Sequence, residues 1–132
     1  MAKRDFGAKA PSKRQLRVGE LIRQSLTELL QRDVINDPEV QKQPVTVTEV
    51  SVSPDLRNAT AFVVPFGGGE HKPVVDALNR TAGFVGGHVA RAVKLRYAPK
   101  IRFIYDVSFD RASEIEAALN SPRVQSDIDD GS

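Results

Sequence analysis

RTAGFVGGHVARAVKLRYAPKIRF, residues 80–103, is the stretch on which the reading of this chain turns. Its apolar spacing is helical, yet it carries Gly83, Gly86 and Gly87 within five residues. A glycine inside a helix costs ~1 kcal/mol relative to alanine, so such a cluster marks a break or a close approach to bare backbone. Its charges have one sign: Arg80, Arg91, Lys94, Arg96, Lys100 and Arg102, with no Asp or Glu between Asp76 and Asp106. Ala98-Pro99 ends the helical part, because the residue before a proline is pushed away from helical geometry. KIRFIYDV then alternates as a strand, placing Ile101, Phe103, Tyr105 and Val107 on one face and Arg102 and Asp106 on the other.

Upstream, VVDALNR reads as a short helix with Val74, Val75 and Leu78 inward; Gly83 then interrupts, and FVGGHVARAVKLR begins a second helix. PVTVTEVSVS and ATAFVVPF alternate with period two around the turn Ser53-Pro54-Asp55-Leu56-Arg57-Asn58, the pattern of a hairpin. In the first strand Val45 and Val47 take one side, with Thr46, Thr48, Val50 and Val52 in between. Earlier still, Val18, Leu21, Ile22, Leu26, Leu29 and Leu30 recur at three and four, which predicts an amphipathic helix from Lys13 to about Arg32 with Ser12 as N-cap. Asn36-Asp37-Pro38 stops what remains of it. After the last strand, FDRASEIEAALNS has room for one or two further helical turns.

The totals bound the rest. At 132 residues and 40% apolar content the chain makes one domain with tails. There is no cysteine, hence no disulfide, thiolate metal site or catalytic thiol. The N-terminal stretch lacks the apolar core of a signal peptide, and the longest apolar run, AFVVPF, is far short of the ~20 residues a membrane span needs; a cytoplasmic protein is expected, with no membrane partner. Net charge is only +2, but eight basic residues stand against three acids in residues 1–32, while from Asp106 onward seven acids face Arg111 and Arg123 alone. That asymmetry suits a polyanion partner for the basic surfaces. The expected organisation is a flexible basic arm over residues 1–12, a folded domain over 13–120 and a polar acidic tail over 121–132.

The order α-β-β-α-α-β gives a two-layer α+β domain with helices on one face of the sheet. The last strand follows a helix pair and so enters beside or between the hairpin strands. This is how a type II KH domain, an RNA-binding module, is built. A standard KH domain clamps the nucleic-acid backbone with a GXXG loop between two helices. Here Thr81-Ala82-Gly83 holds that junction, and VGGH falls inside the second helix.

RVGELI, INDP, VTVTEVSVSPDLRNATAFV and TAGFVGGHVARAVKLRYAPKIRFIYDVS, in this order and spacing, resemble the ribosome-binding factor A family from about Lys13 to Asn120. Leu95-Arg96, Pro99, Phe103, Tyr105 and Asp106 match the family pattern as they stand. The resemblance implies a type II KH-like fold in which a helix-kink-helix, an Ala-X-Gly, replaces the GXXG loop; this chain has Thr81 in the Ala position. It further implies binding to the small ribosomal subunit, assistance in late maturation of its RNA including 5′-end processing, and support of growth in the cold. Other assembly factors, GTPases among them, are the implied companions of a monomer that needs no cofactor.

Physical chemistry names the expected contact residues. A bend at Gly83 exposes the first amides of the following helix, where unpaired donors and the helix dipole suit a phosphate. On a helical wheel Val85, Val89, Ala92 and Val93 share an apolar face, and Arg91 and Lys94 lie opposite, about 60° apart, with Gly87 between them. The candidate RNA-binding set is therefore Arg80, Thr81, Ala82, Gly83, Gly87, His88, Arg91, Lys94, Arg96 and Lys100, with Lys13, Arg14 and Arg17 as a second patch opposing the dipole of the first helix. Gly86 is equally open to a role in close packing, and Arg96 to pairing with helix carbonyls. GGGEHKP lacks the GXXXXGK-Ser/Thr order of a phosphate loop, Glu114 and Glu116 point to different sides of a helix, and two histidines make no metal site. No enzyme is expected. A free-standing KH-like binder of other RNAs and a protein-interaction module are the alternative functions.

Overall fold

Ser12 sets the start of the first helix. The computed structural model describes residues 10–66 and 70–108, with Ile115, Ala118 and Leu119 beyond them. In α1 (Lys13–Gln31) the Ser12 hydroxyl accepts from the Gln15 amide at 3.1 Å, and Gln15 Oε1 accepts from the Ser12 amide at 2.9 Å, a reciprocal capping box. Gln15 also donates through Nε2 to the Val52 carbonyl at 2.9 Å, tying the helix start to the end of the first strand. Val18, Ile22, Leu26 and Leu29 form the buried stripe, each fully buried side chain contributing ~1.5–3 kcal/mol. Gly19 lies in the same stripe, where a Cβ would sit 2.5 Å from the Val50 carbonyl oxygen; the helix backbone rests directly on the strand.

Asn36-Asp37-Pro38 does not stop α1, which ends at the Arg32 cap before the left-handed Asp33 (φ 53°). It starts another helix, α2 (Pro38–Gln41), because Asp37 caps the Glu39 amide at 3.0 Å and proline is favoured in a first helical turn.

β1 (Val45–Val52) and β2 (Asn58–Pro65) pair antiparallel, and β3 (Lys100–Tyr105) joins β2 in parallel, giving the order β1-β2-β3. The last strand thus enters beside the hairpin, not between its strands. The simple alternation expected for β1 fails at Thr48: the register shifts between Val47 and Glu49, and Val47, Val50 and Val52 are all buried. One extra residue at a bulge moves the valines from odd to even positions while keeping them on the core face. Asp106 also departs from expectation. The strand ends at Tyr105, after which Asp106 is buried, its carboxylate accepting from the Thr48 hydroxyl, while Val107 is exposed.

α3 (Lys72–Arg80) and α4 (Ala82–Val93) pack over β3, and α4 also meets α1, which covers β1. Val74, Ala77, Leu78, Val85 and Val89 close over Phe103 and the small residues of β2, Ala59 and Ala61. Asn79 treats β3 as a partner strand would: its Nδ2 donates to the Phe103 carbonyl at 3.0 Å, and its Oδ1 accepts from the Phe103 amide at 2.8 Å. Both backbone groups of Phe103 on the outer edge are thereby satisfied. Residues 1–9 of the basic arm, the glycines of GGGEHKP, most of FDRASEIEAALNS and the acidic tail lie outside the described residues.

The glycines of α4 differ in what surrounds them. A Cβ on Gly86 would lie 2.7 Å from the Pro99 carbonyl oxygen, on Gly87 it would make ordinary contact with Arg91, and on Gly83 it would meet nothing within 4 Å. Gly86→Ala should therefore cost ~1–3 kcal/mol in urea unfolding despite the better helix former. Gly83→Ala should be neutral or stabilise by up to ~1 kcal/mol. A destabilised Gly83→Ala beside an unaffected Gly86→Ala would reverse these assignments.

Candidate nucleic-acid interface

The chain changes direction between α3 and α4 at Thr81, which serves as C-cap of one helix and N-cap of the other with φ −98° and ψ 6°. Its hydroxyl donates to the Leu78 carbonyl at 2.8 Å, and its amide to the same oxygen at 3.1 Å. The kink is present, but Gly83 does not make it. These angles are open to any residue, and Gly83 is an exposed member of the first turn of α4. No side chain caps that turn, since the Thr81 hydroxyl points back to α3.

Ala82, Gly83 and Gly86 form one wall of a shallow groove of about 370 Å³, and Ala98, Pro99, Lys100 and Ile101 form the other. Gly86 is buried in that wall by its contact with Pro99, which resolves its role as close packing. Phe84 is exposed, with its ring 6.5 Å from that of the half-buried His88, and Arg91 one turn beyond Gly87 is exposed as well. Ala92, expected inward, is exposed; Val93 is only half-buried.

The helix stops earlier than its sequence pattern. α4 ends at Val93, and Lys94 adopts the left-handed conformation (φ 60°, ψ 47°) usually given to glycine, so that both Lys94 and Leu95 amides donate to the Ala90 carbonyl. Lys94 is thereby carried off the helical wheel on which it was placed. Arg96 does not bond helix carbonyls in this arrangement; its guanidinium lies 5.6 Å from the centre of the Tyr97 ring.

Two residues that sequence reasoning missed complete this region. Arg57, from the β1–β2 turn, stacks its guanidinium 4.5 Å from the Tyr97 ring centre, and the Lys100 amide donates to the Arg57 carbonyl at 2.8 Å. A second hollow of about 450 Å³ lies between Asp55, Arg57, Asn58, Tyr97, Ala98 and Lys100 and shares Ala98 and Lys100 with the groove. The available signal was an aromatic residue set among cations in KLRYAPK; no pattern in the sequence ties the hairpin turn to it.

Charge pairing separates the remaining cations. Arg23 bonds Glu20, whose carboxyl is held down to about 2 by that hydrogen bond and by Gln24; Lys72 pairs with Asp76, and Arg80 with Asp37 at 3.2 Å. Arg80 is thus drawn toward α2, away from the set it was grouped with. Among the described residues, Lys13, Arg14, Arg17, Arg91, Lys94, Arg96 and Lys100 have no carboxylate partner, and all seven are exposed. Lys13, Arg14 and Arg17 stand at the start of α1, which Gln15 fixes to the end of β1; the hairpin turn and the start of β3 lie at that same end of the sheet. The histidines are otherwise occupied, His71 stacking on Tyr105 at 3.7 Å, and no group of three metal-ligating side chains occurs among the described residues.

A three-stranded mixed sheet with its helices on one face and a kinked helix pair in place of a GXXG loop defines a type II KH-like domain. The family profile described as Ribosome-binding factor A matches residues 14–119, and the chain belongs to that family. It is 50% identical over 123 residues to ribosome-binding factor A of Paramagnetospirillum magneticum, covering 93% of this chain and 87% of the relative. The fold is similar to the crystal structure of ribosome-binding factor A from Thermus thermophilus, with a TM-score of 0.59 and 24% identity over 69% of this chain and 94% of that one. It is similar also to the Thermus thermophilus homology model fitted into a cryo-EM map of a 30S–RbfA complex, with a TM-score of 0.55 and 24% identity over 68% of this chain and 92% of that one.

A lysine in the left-handed region costs ~1 kcal/mol that glycine would not. Lys94→Gly should accordingly raise stability by ~1 kcal/mol in thermal or urea unfolding, and Lys94→Ala should not. Equal stability of the two variants would mean that the conformation carries no strain.

Proposed function

We propose that this protein is an accessory factor of ribosome assembly that binds the small ribosomal subunit through its RNA while that subunit matures. Family membership supports the reading, as does the 30S complex into which a Thermus thermophilus relative has been fitted. The observation that carries it is the one-signed segment: six cations and no acid between Asp76 and Asp106, five of them exposed without a carboxylate partner among the described residues, with Lys100 lining the groove beside Gly83 and Gly86. A phosphate backbone is the partner such a surface suits. Arg91, Lys94, Arg96, Lys100 and the first turn of α4 make the main contact, with Lys13, Arg14 and Arg17 extending it.

The action is by binding alone. A factor that holds one conformation of a partly folded RNA tenfold tighter than its competitors shifts the population by about 1.4 kcal/mol without any covalent step. The stage is late maturation of the subunit RNA, its 5′-end processing included, where cold stabilises misfolded alternatives. The protein works as a cytoplasmic monomer and leaves the finished subunit with the help of other factors, assembly GTPases among them. Residues 1–12 act as an arm, 13–120 as the binding domain and 121–132 as a tail.

Sedimentation of cell extract tests this. The protein should migrate with free small subunits and lose them as salt rises; a spread through light fractions would mean a binder of other RNAs, and salt-independent association a protein-interaction module. Arg91→Glu with Lys94→Glu should weaken binding to purified subunits by at least ~10-fold and lower the salt slope by roughly two. Unchanged binding would remove both residues from the interface.

A further inference from the structure

The hollow beside the hairpin turn has a composition that a phosphate-binding surface does not require. Tyr97 is 51% exposed, with the Arg57 guanidinium 4.5 Å from its ring centre and that of Arg96 farther off at 5.6 Å. The Lys100 amide bonded to the Arg57 carbonyl at 2.8 Å ties the turn to the start of β3, which brings the backbone that carries Arg57 beside the segment that carries Tyr97. Across the hollow stands an acid, Asp55, in a region otherwise cationic. Its Oδ1 accepts from the Ser53 hydroxyl at 2.6 Å and from the Arg57 amide at 3.0 Å. Among the described residues both bonds fall on Oδ1, which leaves Oδ2 to accept from a ligand. The Ser53 hydroxyl first, and the Arg57 amide after it, hold this carboxyl below its usual range, so near neutral pH it only accepts.

We infer that this hollow is a pocket for one unpaired guanine nucleotide, its base stacked against the Arg57–Tyr97 pair, its Watson–Crick edge donating to Asp55, and its phosphate facing Lys100. Guanine offers two adjacent donors, N1–H and the N2 amine, that converge on the remaining oxygen Oδ2; uracil offers one donor flanked by two carbonyl oxygens that the carboxylate repels. In a duplex those guanine donors are already used, so the pocket selects single-stranded RNA, the form in which bases are free to stack on protein aromatics. The inference rests on the RNA-binding reading above and narrows it to a base.

The test is fluorescence anisotropy of the full chain with two labelled RNA hexamers, oligo-U and the same strand with one central guanine. The wild type should prefer the guanine strand by ~10-fold. Tyr97→Ala should weaken both strands by ~10-fold, a typical loss for a stacking aromatic, with Tyr97→Phe staying within about twofold of wild type. Asp55→Asn should erase the preference without weakening oligo-U, and circular dichroism reports whether each variant is folded. Equal binding of the two strands by wild type, full affinity in Tyr97→Ala, or a preference that survives Asp55→Asn would each overturn the pocket. The same preparations are sedimented with small subunits. A wild type that associates with subunits but shows no guanine preference sinks the pocket alone. One that prefers guanine but ignores subunits sinks the assembly role and leaves the pocket standing.

Discussion

Bare backbone of two helices rests on carbonyl oxygens of the sheet layer, and the remaining geometry follows from those contacts. Gly86 brings α4 against Pro99, as Gly19 brings α1 against Val50, with no room for even a methyl group at either point. Each glycine weakens its helix by ~1 kcal/mol, offset by the closeness of packing it allows. Seating α4 on the approach to β3 decides what its first turn faces: a groove shared with Ala98, Pro99 and Lys100, open to solvent on its outer side. The residues that link α4 to β3, Lys94 to Pro99, are carried around the same end of the sheet by the left-handed Lys94.

Electrostatics gives this end its character. Among the described residues Arg23, Lys72 and Arg80 are neutralised locally, by Glu20, Asp76 and Asp37, while Arg32, Lys42 and Arg102 have no carboxylate partner. Around α4 and at the start of α1 such unpartnered cations are most numerous, with Arg91, Lys94, Arg96 and Lys100 at the one and Lys13, Arg14 and Arg17 at the other. Exposed ion pairs contribute ~0–1 kcal/mol, so leaving cations without partners costs the fold little and keeps them available to a polyanion. The strain at Lys94 points the same way, because the left-handed position would be easier for glycine, which has no charge to offer.

Much of this was legible in the amino-acid order. The amphipathic period of α1, its Ser12 cap, the hairpin, the paired helices and the final strand were read in order, since each rests on local patterning. What escaped was set by tertiary contact. The bulge at Thr48 hides in an alternation that only changes phase. Asn36-Asp37-Pro38 reads equally as the end of one helix and the start of another. Gly83 looked like the hinge because glycines break helices, yet the turn belongs to Thr81, whose angles any residue can adopt, and the indispensable glycine is Gly86. Asn79 and the pairing of Arg57 with Tyr97 join residues far apart in the chain, which no spacing rule anticipates.

Amide hydrogen exchange of the protein free and bound to purified small subunits tests the central claim most directly. Slowed exchange should appear in the first turn of α4, from Ala82 to Phe84, and around Arg57 and Tyr97, while α2 and the outer edge of β1 exchange as in the free protein. Protection confined to α2 or β1, with the first turn of α4 unchanged, would contradict it.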